Sequence, residues 1–185
     1  MSTQNDGAML GRNRVLVQRN TSVPLLEIAK IRSILHLDPE VDDASILYYM
    51  NVAIEWVQDR LGKTLLPETR ESVSYNNRFV LPYGPVESAA SIKKVVYGRK
   101  ELKPEDYRVG IFGDSLEIHV PFSWKTRQLT VEYVAGYKNV DAVPDPLKNA
   151  VMGTIEYLYR NNCNIEVLEA ETAPWLSAYR TYRIF

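Results

Sequence analysis

The sequence predicts an α+β fold, a small helical bundle with an inserted antiparallel β-sheet, flanked by an extended N-terminal arm and a C-terminal tail. Apolar residues recur at helical spacing over 43–61 and again over 146–161. Between them the period changes to two, with Leu116, Ile118 and Val120 against Glu117 and His119, and Leu129, Val131 and Tyr133 against Thr130 and Glu132. Helices, then strands, then helices, without a repeat or heptad, put the sheet inside the helical unit. The predicted organisation is an arm over 1–22, a central domain over 23–162 and a tail over 163–185.

Residues 1–22 are polar and carry Arg12, Arg14 and Arg19 against Asp6, with only Val15, Leu16 and Val17 as an apolar run. They are expected to be disordered, or ordered by a neighbour. A first helix is expected over 25–37, where Leu25, Ile28, Ile31, Ile34 and Leu35 share a face and Thr21 or Ser22 stands upstream as a cap before Pro24. Asp38-Pro39 ends it, because proline disfavours the helical conformation of its predecessor. The second helix, 43–61, is started by Asp42 and Asp43 and ended by Gly62. Tyr48, Tyr49 and Trp56 widen its apolar face, to be absorbed either by a thick core, the favoured reading, or by a subunit contact.

The strand-rich insertion covers 67–137. Less regular strands are expected at 73–75, 79–81, 92–97 and 107–109, separated by the turn residues Asn76-Asn77, Pro82 to Pro85, Gly98 and Gly113-Asp114. The third helix, 146–161, follows Val143-Pro144-Asp145-Pro146, where Asp145 is placed as the cap and Pro146 in the first helical position. Beyond it lie a possible short helix around 165–170 and an aromatic tail that something should cover.

The chain has 185 residues, 45% of them hydrophobic and 24% charged, an ordinary globular composition consistent with one domain. With 22 Lys and Arg against 23 Asp and Glu, no global attraction to nucleic acid or anionic lipid is available. Cys163 is the single cysteine, so no intrachain disulfide forms and the thiol reads as a small packing residue. Neither a signal-peptide core nor an apolar run of about 18 residues occurs, so secretion and membrane spanning are not expected, and the sequon at Asn20 reads as chance.

Catalytic and metal chemistry find little to build on. His36 and His119 lack ligand spacing to each other or to Cys163. The acidic cluster Asp38, Glu40, Asp42 and Asp43 has no calcium-loop pattern and reads as helix capping. Gly110 and Gly113 do not make a dinucleotide fingerprint, and no nucleophile elbow occurs. No catalytic residue, no metal site and no cofactor is assigned, and an enzyme is not expected.

Four stretches resemble the head-tail connector (adaptor, or head-completion) proteins of long-tailed bacteriophages. The helix pair 25–38 and 42–64 resembles the family's opening. Leu81-Pro82-Tyr83-Gly84-Pro85-Val86 leading into 92–97 resembles its proline-bounded approach to the sheet. The most specific is 129–137, a spacer, then 143–150 running into 157–161, which resembles its strand, proline and helix succession. Leu176 to Arg180 resembles its tyrosine-arginine ending. The N-terminal arm and 162–174 depart from the pattern.

The resemblance implies a virion structural protein in the neck, assembled in the host cytoplasm as a homo-oligomeric ring, expected to be dodecameric, under the portal protein and above the next neck or tail-completion ring. DNA would pass through the lumen without specific binding, and no membrane is involved. It further implies that the tail contacts the portal, with Trp175, Leu176, Tyr179, Arg180, Tyr182, Arg183 and Phe185 as the candidates. Aromatic and arginine side chains suit such a contact, although the tail could instead fold back on its own bundle. Two other readings stand: a tail-terminator or tail-completion ring subunit, and a nucleic-acid-binding module using Lys93, Lys94, Arg99 and Lys100 around Tyr97.

Overall fold

The computed structural model describes residues 13–19, 23–121 and 127–161. Its elements run β1 (Asn13–Arg19), α1 (Ile28–Leu35), α2 (Asp43–Leu61), β2 (Glu68–Ser74), β3 (Arg78–Val80), β4 (Ile92–Tyr97), β5 (Lys100–Glu101), β6 (Arg108–Phe112), β7 (Ser115–His119), β8 (Leu129–Ala135) and α3 (Asp145–Arg160). The α+β class and the insertion of strands between α2 and α3 are as expected. The strands form two antiparallel sheets, ordered β1-β2-β8-β4-β5 and β3-β7-β6.

The first departure is β1, which lies in the stretch expected to be an arm. It pairs antiparallel with β2 of the same chain, Leu16 opposite Arg70 and Gln18 opposite Thr69, with register shifts that break its alternation. An irregular strand on a sheet edge leaves only a weak period-two signal, which is why the Val15 to Val17 run looked isolated.

In the helical layer, α1 begins at Ile28, three residues later than expected, yet Leu25 and Leu26 are buried ahead of it in non-helical backbone. It stops at His36, whose left-handed backbone (φ 49°) lets the Leu37 N–H reach the Arg32 carbonyl at 3.3 Å. For α2 the expected ends hold: the Asp42 carboxylate accepts from the Ser45 N–H at 2.6 Å, and Gly62 (φ 63°) closes the helix. These hydrogen bonds, chiefly from Ser45, hold the Asp42 carboxyl below its usual range. Asp145 is not the cap of α3. The Pro144 carbonyl already accepts from the Leu147 and Lys148 N–H groups, so Pro144 takes that place and Asp145 is the first helical residue, with Lys148 at 3.5 Å from its carboxylate.

Buried side chains of the helices (Ile31, Ile46, Met50, Val57, Leu61, Leu147, Val151, Ile155) form one core. A second core lies among the sheets (Val95, Tyr97, Leu116, Ile118, Leu129, Val131, Tyr133). Tyr48 belongs to neither. It is 59% exposed on the outer side of α2, whereas Tyr49 is half-buried edge-on to Tyr159 and Trp56 is half-buried with the Arg60 guanidinium 5.7 Å over its ring. The apolar stripe of α2 is therefore narrower than the sequence suggested.

At Gly136, φ is +115° and a Cβ would stand 2.3 Å from the Leu66 carbonyl oxygen. Both backbone strain and a clash with backbone follow from any side chain there. Gly136→Ala is expected to lower the unfolding free energy by about 3 kcal/mol or more, measured by urea denaturation, far beyond an ordinary surface substitution.

Candidate functional site

The seven tail candidates, Trp175, Leu176, Tyr179, Arg180, Tyr182, Arg183 and Phe185, lie outside the described residues, as do Cys163, the helix expected around 165–170 and the caps Thr21 and Ser22. The described residues offer two surfaces instead, held apart by a polar junction at 81–86.

This junction follows from the sequence Leu81-Pro82-Tyr83-Gly84-Pro85-Val86. Two prolines remove backbone donors, while Leu81, Pro82, Gly84 and Val86 are buried, so the segment is rich in carbonyls that need partners. Four of these carbonyls take donors from three places: β7, the residues after α2, and β8 with the glycine that directly follows it. The Leu81 carbonyl accepts from Ser115 Oγ of β7 at 2.6 Å, and the Pro82 carbonyl accepts from the Tyr133 hydroxyl of β8. The Gly84 carbonyl accepts from the Thr64 N–H after α2, and the Pro85 carbonyl from the Gly136 N–H before α3, both at 2.8 Å. Since Tyr133 spends its proton on Pro82, Ser72 Oγ, 3.2 Å away, is the donor to the tyrosine oxygen.

Around this junction sit the charges. Glu68 is fully buried and accepts from Arg70 Nη2 at 2.8 Å, while the Arg70 guanidinium lies 4.3 Å over the Tyr83 ring. Lys63 and Asp114 form an ion pair that ties the end of α2 to the turn between β6 and β7. Burial raises the Tyr137 hydroxyl above its usual range, with smaller opposing effects of Lys63 and Asp114.

The first surface is the outer side of the β6–β7 hairpin. Ile111 is 87% and Phe112 57% exposed, on a strand that pairs only with β7 in its sheet. The strand expected at 107–109 is longer than its sequence pattern suggests. The structure carries it on to Phe112, and the missed signal was the Ile-Phe pair directly before a Gly-Asp turn. The second surface is the start of α2, where Leu47 and Tyr48 are exposed next to the acidic residues 38–43.

The acidic cluster is used locally: Asp38 accepts from the Glu40 N–H at 2.9 Å, Asp42 caps α2, and Asp43 pairs with Arg32 at 2.8 Å. Among the described residues no three His, Cys, Asp or Glu side chains gather as metal ligands, and no described helix is long and apolar enough to cross a membrane. His36 is exposed at the end of α1 and His119 half-buried on β7. Of the basic patch, Lys93 donates to Thr69 at 2.9 Å, Lys94 pairs with Glu101 at 3.3 Å and Lys100 with Asp106 at 3.5 Å. Those cations are engaged on the sheet itself, which weakens the patch as a phosphate track.

No protein-family model and no curated protein sequence matches the chain. Solved structures do. A chain in the neck of an empty GTA particle, computed with C6 symmetry, superposes with a TM-score of 0.67 at 18% identity, covering 90% of this chain and 96% of that one. A chain in the neck of a native GTA particle, computed with C12 symmetry, gives 0.66 at 18% identity over 96% and 98%. A chain of the virion of a native gene transfer agent (GTA) particle gives 0.68 at 18% over 90% and 96%. This chain shares their fold. The GTA fold extends over nearly the whole of both molecules, so the two sheets and the helical layer belong together in it.

The junction supplies a direct test. Tyr133→Phe keeps the ring in the core but leaves the buried Pro82 carbonyl and Ser72 hydroxyl short of a partner. It is expected to lower stability by about 1–3 kcal/mol with an unchanged denaturant slope, measured by urea unfolding.

Proposed function

We propose that the chain is a structural subunit of the neck of a phage-like virion, a head-tail connector that forms a ring, docks on the portal and joins it to the tail. The observation that carries this reading is the fold shared with GTA neck chains across at least 90% of this chain and 96% of theirs, in particles computed with C6 and C12 symmetry. A cyclic arrangement of identical chains is a ring, and the sequence resemblance to phage connectors points to the same place independently.

The physical properties suit that role. Near-neutral net charge gives DNA little to bind as it passes through a lumen. The work is positional, without turnover or cofactor. On this reading the tail residues Trp175, Leu176, Tyr179, Arg180, Tyr182, Arg183 and Phe185 make the portal contact, as buried aromatic and guanidinium anchors.

The test is co-sedimentation of the purified chain with the portal ring of its own particle, comparing full length with a truncation ending at Pro174. Full-length protein is expected to pellet with the portal, and the truncation to stay in solution with unchanged helical content and melting. Binding by both equally would remove the tail from the contact. Failure of the full-length chain to bind portal, with binding to a tail-tube ring, would replace this reading with a tail-completion subunit.

A further inference from the structure

Resting on the ring reading above, we infer that the subunit contact is made by the β6–β7 hairpin of one copy docking on the acidic start of α2 in the next. A closed cyclic assembly repeats one heterologous contact, so each chain must carry two different surfaces that fit one another. The two surfaces described above are such a pair, one built on the sheet core and the other on the helical core.

The hairpin surface has the composition of an anchor. Phe112, 57% exposed, shares a face of β6 with Arg108, which is exposed with no ion pair among the described residues, and Ile111, 87% exposed, ends the other face beside the turn. In contrast, the neighbouring Arg78 is paired with Glu117 at 2.7 Å, which also raises its pKa. At Gly110 an added Cβ would meet nothing within 4 Å, so this stretch of β6 is open to an approaching chain. Among the described residues its outer backbone edge pairs with no strand, so it can accept one as well.

The α2 surface is complementary in charge. Arg32 is taken by Asp43, and Asp38 and Glu40 are exposed without an ion pair among the described residues, in the loop leading into α2, whose first turns carry the exposed Leu47 and Tyr48. An Arg-bearing apolar hairpin and an acid-rimmed apolar helix end match each other, while neither matches a copy of itself. Charge complementarity therefore favours head-to-tail closure over a two-fold contact through either surface alone.

The hairpin is also held rigidly from behind. Asp114, in its turn, is ion-paired to Lys63, and the Asp114 carbonyl accepts from the Val86 N–H at 2.9 Å. A docking element fixed before it binds loses little conformational freedom on association.

The experiment is sedimentation velocity of the full-length chain over a range of concentrations, with Phe112→Asp on the hairpin and Tyr48→Asp on α2. Both side chains are exposed, and a melting curve verifies that each variant folds. Wild type is expected to self-associate, and each variant to associate at least about tenfold more weakly. An equimolar mixture of the two is expected to form heterodimers that do not grow, because one intact hairpin meets one intact α2 surface. Arg108→Glu is expected to weaken association and the pair Arg108→Glu with Glu40→Lys to restore it. Variants that assemble like wild type would overturn the contact and leave the neck reading standing if portal binding persists. A wild-type chain that stays monomeric with and without portal would overturn both.

Discussion

The structure depends on the satisfaction of buried carbonyls in the segment 81–86. A proline-rich stretch buried between two cores would be costly if its oxygens were left without donors, since each orphaned acceptor costs on the order of 1–3 kcal/mol. The chain meets that demand with donors from Thr64, Ser115, Tyr133 and Gly136, which belong to the end of α2, to β7, to β8 and to the approach to α3. Four carbonyls thereby tie the end of α2, β7 and β8 to one segment. Gly84 is required by the same constraint, because a Cβ there would stand 2.9 Å from the Asp114 carbonyl oxygen, backbone against backbone.

The two hydrophobic cores are consequently joined by polar contacts rather than by continuous apolar packing. Hydrogen bonds and the Glu68–Arg70 pair are directional, and they specify one relative placement of sheet and helices where a greasy seam would tolerate several. Stacking of Arg70 on Tyr83 extends this to the loop itself, whose left-handed tyrosine (φ 60°) is held by the ring contact and by a long hydrogen bond to Asp59 at 3.5 Å. The proline-bounded motif that carried part of the family resemblance in the sequence is thus the piece that does most of the joining.

Legibility followed the physics of periodicity. The element α2 was readable to the residue because a strong apolar stripe, an aspartate cap and a glycine stop agree with one another. β8 was readable because one face is buried at every second residue. What escaped was set by distant partners. β1 is an edge strand with a broken register, and β6 exposes its outer half, so neither shows the alternation that burial imposes. Asp145 and Pro144 compete for the same cap position with similar local signals, and only the carbonyl bonds decide it. The division of the strands into two sheets depends on pairing between residues as far apart as Arg78 and His119, which no local window contains. For the candidate surfaces the limit was different. Tyr48 could be absorbed by a core or by a subunit contact as far as the sequence goes, and Phe112 lies beyond the strand expected there, so the exposure of both is visible only in the folded chain.

The ring proposed above would make one further demand on such a molecule, which the junction is built to answer. The number of copies that close a ring is set by the rotation between the two surfaces that meet in each contact, so a small change in that angle accumulates with every subunit. Here one surface hangs on the sheet core and the other on the helical core, and the connection between them is the Lys63–Asp114 pair and the 81–86 carbonyl bonds. Asp114 sits in the turn of the exposed hairpin, and Lys63 directly follows α2, whose first turns carry Leu47 and Tyr48. In the proposed ring the polar junction is therefore the lever arm between the two surfaces, and its directional bonds hold the angle that an apolar seam would leave loose.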